Sequence, residues 1–427
     1  MKLREYRRIH CVGIGGIGLS AIARYCISTG AQVSGSDGSN SKIVEDLRRE
    51  GVAISIGHDA LQVPEECDLL IHTIAVGDSN PEVAEAKHRG ITVMTYPEAL
   101  GLLTNEYTTI AVCGTHGKTT TTAMIASMLS AAGKRPTVIV GSLLSEHGTN
   151  FMEGDSEYLV VEACEYKRSF LNLNPTHVVV TNIDEDHMDY YKDLADIVSA
   201  FDSFVGKMPS SGYLITHRDV ILVSQAKHVD ADEVEKDSIE LSVLGEHNKR
   251  NAQLALALAL ALGLDEEKAR EGLHAFTGTW RRLEYKGRTV TGTKVYDDYG
   301  HHPKEIAATM PALRSEYPKG KHKLHVFFQP HLYSRTKLFL NEFADSLKVA
   351  DSVYALPIYA AREEHDPSIS HEMLVTELAR LGVDAHSLSH LDDMKSHIES
   401  INDTEAVVLN IGAGDAYTVL DQLALTK

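Results

Sequence analysis

Residues 108–122 read Thr-Thr-Ile-Ala-Val-Cys-Gly-Thr-His-Gly-Lys-Thr-Thr-Thr-Thr. A β-branched strand runs into glycines, then into a lysine and threonines that open a helix. This order suits phosphate binding. Glycines let backbone amides point at oxygen atoms, and the helix N-terminus adds a partial positive charge. The ammonium of Lys118 would reach the β- and γ-phosphates, with the Thr119 hydroxyl on Mg²⁺. Gly114, Thr115, His116, Gly117, Lys118, Thr119 and Thr120 are therefore candidate ATP contacts. Two residues separate Gly114 from Gly117 where the usual pattern has four, so the competing reading is an ordinary glycine turn ahead of a helix.

A second group is acidic. Glu162 ends an apolar strand, and Asp184-Glu-Asp-His187-Met-Asp189 follows another. At the C-terminal ends of parallel strands these residues share a crevice with the phosphate turn. Carboxylates and one imidazole suit Mg²⁺ beside a nucleotide; the alternative is a solvated acidic loop.

A third group is Gly13-Ile-Gly15-Gly16-Ile-Gly18 after the first strand, with Asp37 about twenty residues on. Such a turn accommodates NAD, the pyrophosphate of another nucleotide, or nothing. The last group is Asp297-Asp298-Tyr299-Gly300-His301-His302-Pro303, followed by Gln329-Pro-His331-Leu-Tyr-Ser-Arg335-Thr336. Arg335 has the geometry to clamp a carboxylate or phosphate; capping and internal pairing are the bland alternatives.

These side chains need strands and helices to place them. Short apolar runs alternate with helical patterns throughout, which predicts an α/β chain of parallel strands and crossover helices. Three stretches are expected. Residues 1–105 form a Rossmann-like domain, 106–279 a central P-loop-type ATPase domain with a parallel sheet, and 280–427 a C-terminal Rossmann-like domain. The run from Ala252 to Leu264 reads as a buried helix. Forty-one basic against sixty acidic residues give a net charge of −19, which argues against nucleic acid as a partner. Five scattered cysteines form no C-x-x-C pair and read as buried reduced thiols. No apolar run approaches the ~20 residues of a membrane helix. A cytoplasmic protein, monomeric or homodimeric, is expected.

Together the motifs resemble the Mur ligase family over nearly the whole chain, from His10 to about Asp415. To those above the resemblance adds Thr181-Asn-Ile-Asp-Glu-Asp-His187, His247-Asn-Lys-Arg-Asn251 and Arg281-Arg-Leu-Glu284. It implies that ATP phosphorylates the carboxylate of UDP-N-acetylmuramate and that the amine of L-alanine displaces the phosphate, in peptidoglycan precursor synthesis; the alternatives are a ligase of the same family that adds another amino acid or a peptide, and a non-catalytic UDP-sugar-binding relative. Lys118, Glu162, His187 and Arg282 would be catalytic, with Mg²⁺ on Thr119, Glu162 and His187. His247 and Asn251 would contact adenosine, and Arg282 and Asp298 would complete the ATP site. Gly13, Gly15, Gly16, Gly18, Asp37, His72 and Thr73 would bind the UDP-sugar, which displaces NAD. Tyr299, His301, His331 and Arg335 fall to the muramoyl and amino-acid end. The chain departs from the family pattern at Cys164, where an acid is usual, at Lys167 and Arg168, which add positive charge, and at Leu332, where many alanine-adding members carry Arg.

Overall fold

The computed structural model describes residues 2–144, 148–188, 190–361 and 363–426. Asp189 lies outside the described residues. The strands form three sheets.

The first sheet contains β1 (Arg8–Val12), β2 (Gln32–Asp37), β3 (Ala53–Ile56), β4 (Leu69–His72) and β5 (Thr92–Thr95), in the order β3-β2-β1-β4-β5. Every pairing is parallel. Parallel neighbours need crossovers, and α1 (Ile17–Ser28), α2 (Lys42–Arg49) and α3 (Pro81–His88) lie between successive strands. Strand β4 is buried along its whole length, as expected when helices cover both faces. The strand order reverses between β1 and β4. The glycine turn after β1 and the end of β4 therefore face one crevice. A capping box between Thr95 and Glu98, with Pro97 in the first turn, starts α4 (Tyr96–Thr104).

The second sheet contains β6 (Thr108–Cys113), β7 (Thr137–Leu144), β8 (Thr149–Met152), β9 (Tyr158–Glu162), β10 (His177–Val180), β11 (Tyr213–Thr216) and β12 (Lys227–Asp230). Their order is β12-β11-β10-β6-β9-β7-β8. The expectation of a parallel sheet needs one correction, because β8 runs antiparallel to β7. The link from Leu144 to Thr149 is too short for a crossover, so only a hairpin can form. Helices α5 (Lys118–Ala131), α6 (Leu194–Val205), α7 (Glu246–Ala261) and α8 (Glu266–Ala275) accompany this sheet, and α7 contains most of the apolar run read as a buried helix.

The third sheet has the order β13-β14-β18-β15-β16-β17. Its strands are β13 (Glu284–Arg288), β14 (Lys294–Asp298), β15 (Leu324–Phe328), β16 (Ser352–Ala355), β17 (Asp384–Ser387) and β18 (Val407–Ile411). Among its named strand pairs only the β13–β14 hairpin is antiparallel. Helices α9 (Pro303–Glu316) and α10 (Tyr333–Leu338) follow β14 and β15.

The chain resolves into two compact units. Met1–Ser242 with Lys249–Thr277 holds the first two sheets, and Val243–Asn248 with Gly278–Lys427 holds the third. Within the first unit, α1 packs on the β7–β8 hairpin. Asn150 of β8 is fully buried there. Its amide donates to the Ile17 carbonyl and, at 2.8 Å, to the Ser20 hydroxyl, and its oxygen accepts from Arg24 at 2.6 Å. Arg24 also grips Glu50. Cys11, Cys26, Cys67 and Cys113 are buried as expected, but Cys164 is exposed, because it follows β9 at the open end of the second sheet. No helix among the described residues is long and apolar enough to cross a membrane.

Candidate active site

The phosphate turn is pinned to the loop after β10. Thr115 N–H donates to the Asn182 carbonyl at 3.0 Å, and His116 N–H donates to the Asn182 side-chain oxygen at 2.9 Å. Asn182 and Thr181 both donate back to the His116 carbonyl. Gly117 caps α5 with φ 82°, a left-handed backbone that favours glycine. A β-carbon on Gly117 would sit 2.8 Å from the Asn251 side-chain oxygen, so Asn251 lies against the turn. Thr119 and Thr120 are buried in the first turn of α5.

Lys118 Nζ donates to the carbonyls of Gly114 (2.6 Å) and Thr115 (3.0 Å) and lies 2.9 Å from the buried Glu165 carboxylate. Burial opposes the ammonium, but Glu165, with Cys164 and Glu162 adding to it, outweighs that effect and holds the Lys118 pKa above its ordinary value. The lysine is a fixed cation. Glu162, at the end of β9, accepts from the Thr119 hydroxyl at 2.9 Å and from Gly141 N–H at 2.8 Å. A side chain at Gly141 would collide with that carboxylate. His187 has φ 55°. Its Nε2 lies 3.7 Å from Glu165 and 3.9 Å from Asp186, and its ring packs 4.7 Å from that of Tyr166. Lys118 and His187 therefore meet at Glu165, while Thr119 meets Glu162 at the end of β9. Asp184 is held in the same loop, its N–H donating to the Thr115 hydroxyl.

In the first sheet, Gly13 N–H donates to the Ser36 carbonyl and Gly15 N–H donates to Asp37 at 2.8 Å. Asp37 thus braces the turn. Gly13 has φ 79° and no room for a side chain beside Thr73. Gly16 caps α1. A β-carbon on Gly18 would meet the Tyr96 ring at 2.5 Å, so Gly18 admits that ring. His72, buried at the end of β4, contacts the Thr73 carbonyl. Gly13, Gly15, Gly16, Asp37, His72 and Thr73 line the strand ends of one crevice.

In the second unit, Asp298 is buried and accepts from Leu283 N–H (2.7 Å) and Gly300 N–H (2.8 Å). Burial pushes its pKa up to about 6, against the pull of Arg282. Arg282 is half-exposed, 5.3 Å from the Tyr299 ring centre and 4.0 Å from Glu305. His301 contacts the Tyr299 carbonyl and lies 3.4 Å from Glu305. Burial first, then Arg335 and Arg282, lower its pKa while Glu305 opposes them. The His301 and His331 rings are 5.7 Å apart, and Arg335 lies 3.4 Å from His331 Nδ1. Tyr299, His301, His331 and Arg335 thus form one cluster. His247 lies beside Gly245, its pKa lowered by burial.

Three family models match the chain: the Mur ligase family catalytic domain over residues 8–108, the Mur ligase middle domain over 112–235, and the Mur ligase glutamate ligase domain over 281–414. The chain belongs to the Mur ligase family. A UDP-N-acetylmuramate–L-alanine ligase of Caldanaerobacter subterraneus is 38% identical over 98% of this chain and 97% of its own length. One of Lachnospira eligens is also 38% identical, over 97% of each. The crystal structure of a UDP-N-acetylmuramate–alanine ligase from Thermotoga maritima superposes with a TM-score of 0.83 at 29% identity, covering 97% of both chains.

This Mur ligase carries functional features that its sequence did not announce. Glu165 is the partner of Lys118; it sits in the stretch Glu162-Ala-Cys164-Glu165, but that stretch carries no sign of this role. Arg281, adjacent to the candidate Arg282, is 1% exposed. It pairs with Asp297 at 3.0 Å, donates to the carbonyls of Gly412 and Gly414, and lies 4.5 Å from the Tyr417 ring centre. Leu332 is buried with φ 70°, and its N–H donates to the Tyr359 carbonyl. The side chain expected to be Arg from the resemblance is here a buried Leu332, and Arg335, one helical turn on, is the cation beside His331.

Proposed function

We propose that the protein joins L-alanine to the carboxylate of UDP-N-acetylmuramate in an ATP-dependent step of peptidoglycan precursor synthesis. The observation that carries this reading is Lys118, a fixed cation at the N-terminus of α5 with Glu162 and Glu165 beside it. The nearly full-length match to relatives named for this reaction supports the choice of substrates.

A carboxylate is a poor electrophile because it has no leaving group. Transfer of the ATP γ-phosphoryl group to a carboxylate oxygen gives an acyl phosphate and ADP. The neutral amine of L-alanine then attacks the carbonyl carbon. Phosphate departs with the bonding pair, and the nitrogen loses a proton. Lys118 stays protonated throughout and stabilises charge on the phosphates. Thr119, Glu162 and His187 offer a hydroxyl, a carboxylate and an imidazole, a donor set that would hold Mg²⁺. When bound, the ion neutralises charge on the transferred group. Among the described residues no three His, Cys, Asp or Glu side chains enclose a cation site.

Gly13, Gly15, Gly16, His72 and Thr73 are assigned to the UDP-sugar, with Asp37 and Gly18 shaping the turn. His247, Asn251, Arg282 and Asp298 are assigned to ATP, and Tyr299, His301, His331 and Arg335 to the muramoyl and amino-acid end. The test is a panel. Phosphate release is measured with ATP, UDP-N-acetylmuramate and, in turn, L-alanine, glycine, L-serine and a tripeptide. The highest kcat/KM is expected with L-alanine. A preference for the tripeptide would replace this reading with that of a peptide-recycling ligase.

A further inference from the structure

Directly after Glu165 the backbone does something costly. Lys167 (φ 51°, ψ 27°) and Arg168 (φ 56°, ψ 27°) both adopt the left-handed conformation, and neither is glycine. For L-residues the β-carbon then crowds the following carbonyl, so such pairs persist only where their surroundings impose them. The constraints are visible. Arg168 N–H donates to the Glu165 carbonyl at 2.8 Å, and Phe170 N–H donates to the Cys164 carbonyl at 2.9 Å. The Arg168 guanidinium donates to Asp196 at 2.5 Å and lies 5.6 Å from the Tyr191 ring centre. Arg168 is the anchor of the turn.

Lys167 is its exposed product. Its ammonium lies 5.5 Å from the Tyr166 ring centre, and that ring is 4.7 Å from the His187 ring. The cation is therefore within about 10 Å of the His187 ring. The segment carrying it, Tyr166–Asn172, packs on α4, where a β-carbon on Gly101 would meet the Asn172 carbonyl at 2.3 Å. Tyr96, the first residue of α4, packs in turn on Gly18 in α1. Lys167 thus stands on the segment that joins the phosphate site to the sugar-nucleotide crevice.

An anionic acceptor approaching this site meets Glu162, Glu165, Asp184 and Asp186, all acidic, on a chain of net charge −19. Lys118 is already committed to Glu165 and to the nucleotide phosphates. A further cation on this same loop would offset the acidic groups as a carboxylate comes near, beside the charge that Mg²⁺ would supply. We infer that Lys167 is a substrate-binding residue whose ammonium receives the muramoyl carboxylate of UDP-N-acetylmuramate as it approaches the phosphoryl donor. The inference rests on the function proposed above.

The test uses the full chain with Lys167→Ala, Lys167→Arg and Lys167→Gly, measuring binding of UDP-N-acetylmuramate and of UDP alone, together with the three KM values. Lys167→Ala is expected to raise Kd and KM for UDP-N-acetylmuramate about tenfold while Kd for UDP and KM for ATP and L-alanine stay within about twofold. Lys167→Arg should recover most of the loss. Lys167→Gly relieves the backbone but lacks the charge, so it should keep the binding defect with a Tm at or above that of the parent. Unchanged UDP-N-acetylmuramate affinity in Lys167→Ala, with an active parent, overturns this inference and leaves the proposed function standing. An equal loss for UDP would place the contact at the diphosphate and overturn the assignment to the carboxylate. A parent that does not turn over UDP-N-acetylmuramate overturns the function, and this inference with it.

Discussion

Lys118 and Glu165 form a mostly buried ion pair, and the carboxylate holds the ammonium charged. Breaking such a pair from one side leaves a stranded charge, which costs about 3–5 kcal/mol when burial is complete and less here, where Lys118 keeps some exposure. Lys118→Ala is therefore expected to lower kcat by about a thousandfold or more and also to lower Tm. Adding Glu165→Gln should restore Tm without restoring turnover. Kinetics and thermal unfolding of the two single variants and the double variant check both halves. Asp298 gives a prediction in pH. Its pKa is about 6 in the folded chain against 3.8 when free, so the folded chain binds this proton more tightly. Its contribution to stability is thus most favourable below about pH 4 and is lost as pH rises through about 6. If the ionised form serves ATP, kcat/KM should fall below about pH 6, and Asp298→Asn should remove that limb of the profile.

At the scale of elements, the loop between Trp280 and β13 is tightly constrained. Arg281 and Leu283 have φ 57° and 48°, and the loop is tied by Glu284, Asp297 and Asp298. Arg281→Ala strands the buried Asp297 carboxylate and should destabilise the chain by about 3–5 kcal/mol, measurable by urea unfolding. Arg281→Lys should retain the charge but lose the fork to Asp297 and two carbonyls, and so fall between the two. Two adjacent arginines look alike in a sequence; only the sheet decides that one faces inward and the other out. The phosphate turn was legible because its strand, glycines, lysine and helix are contiguous. Glu165 was not, because its role depends on the path of the chain after β9. The β8 hairpin was missed for a related reason, since a four-residue strand carries too little pattern to reveal its direction. The glycine turn of β1 was read correctly as a turn, but Asp37 braces it, a use that spacing alone does not distinguish from binding ribose.

At the scale of the molecule, the first unit holds the glycine turn of the first sheet and the Lys118 turn of the second in one body, and Asn150 is a fully buried link between the two sheets. Asn150→Ala removes three hydrogen bonds and leaves Arg24 short of a partner, so a loss of about 2–3 kcal/mol in unfolding free energy is expected by denaturant titration. Because the link fixes α1 to the hairpin that also supplies Gly141 to Glu162, kcat should fall more than either nucleotide KM rises. In the proposed reaction this body brings the substrate carboxylate to the γ-phosphoryl group and makes an acyl phosphate. The most direct measurement follows one oxygen. UDP-N-acetylmuramate labelled with oxygen-18 in both carboxylate oxygens is turned over with ATP and L-alanine, and the released phosphate is weighed by mass spectrometry. One labelled oxygen in each phosphate is the predicted result. Unlabelled phosphate formed alongside the amide product would contradict it.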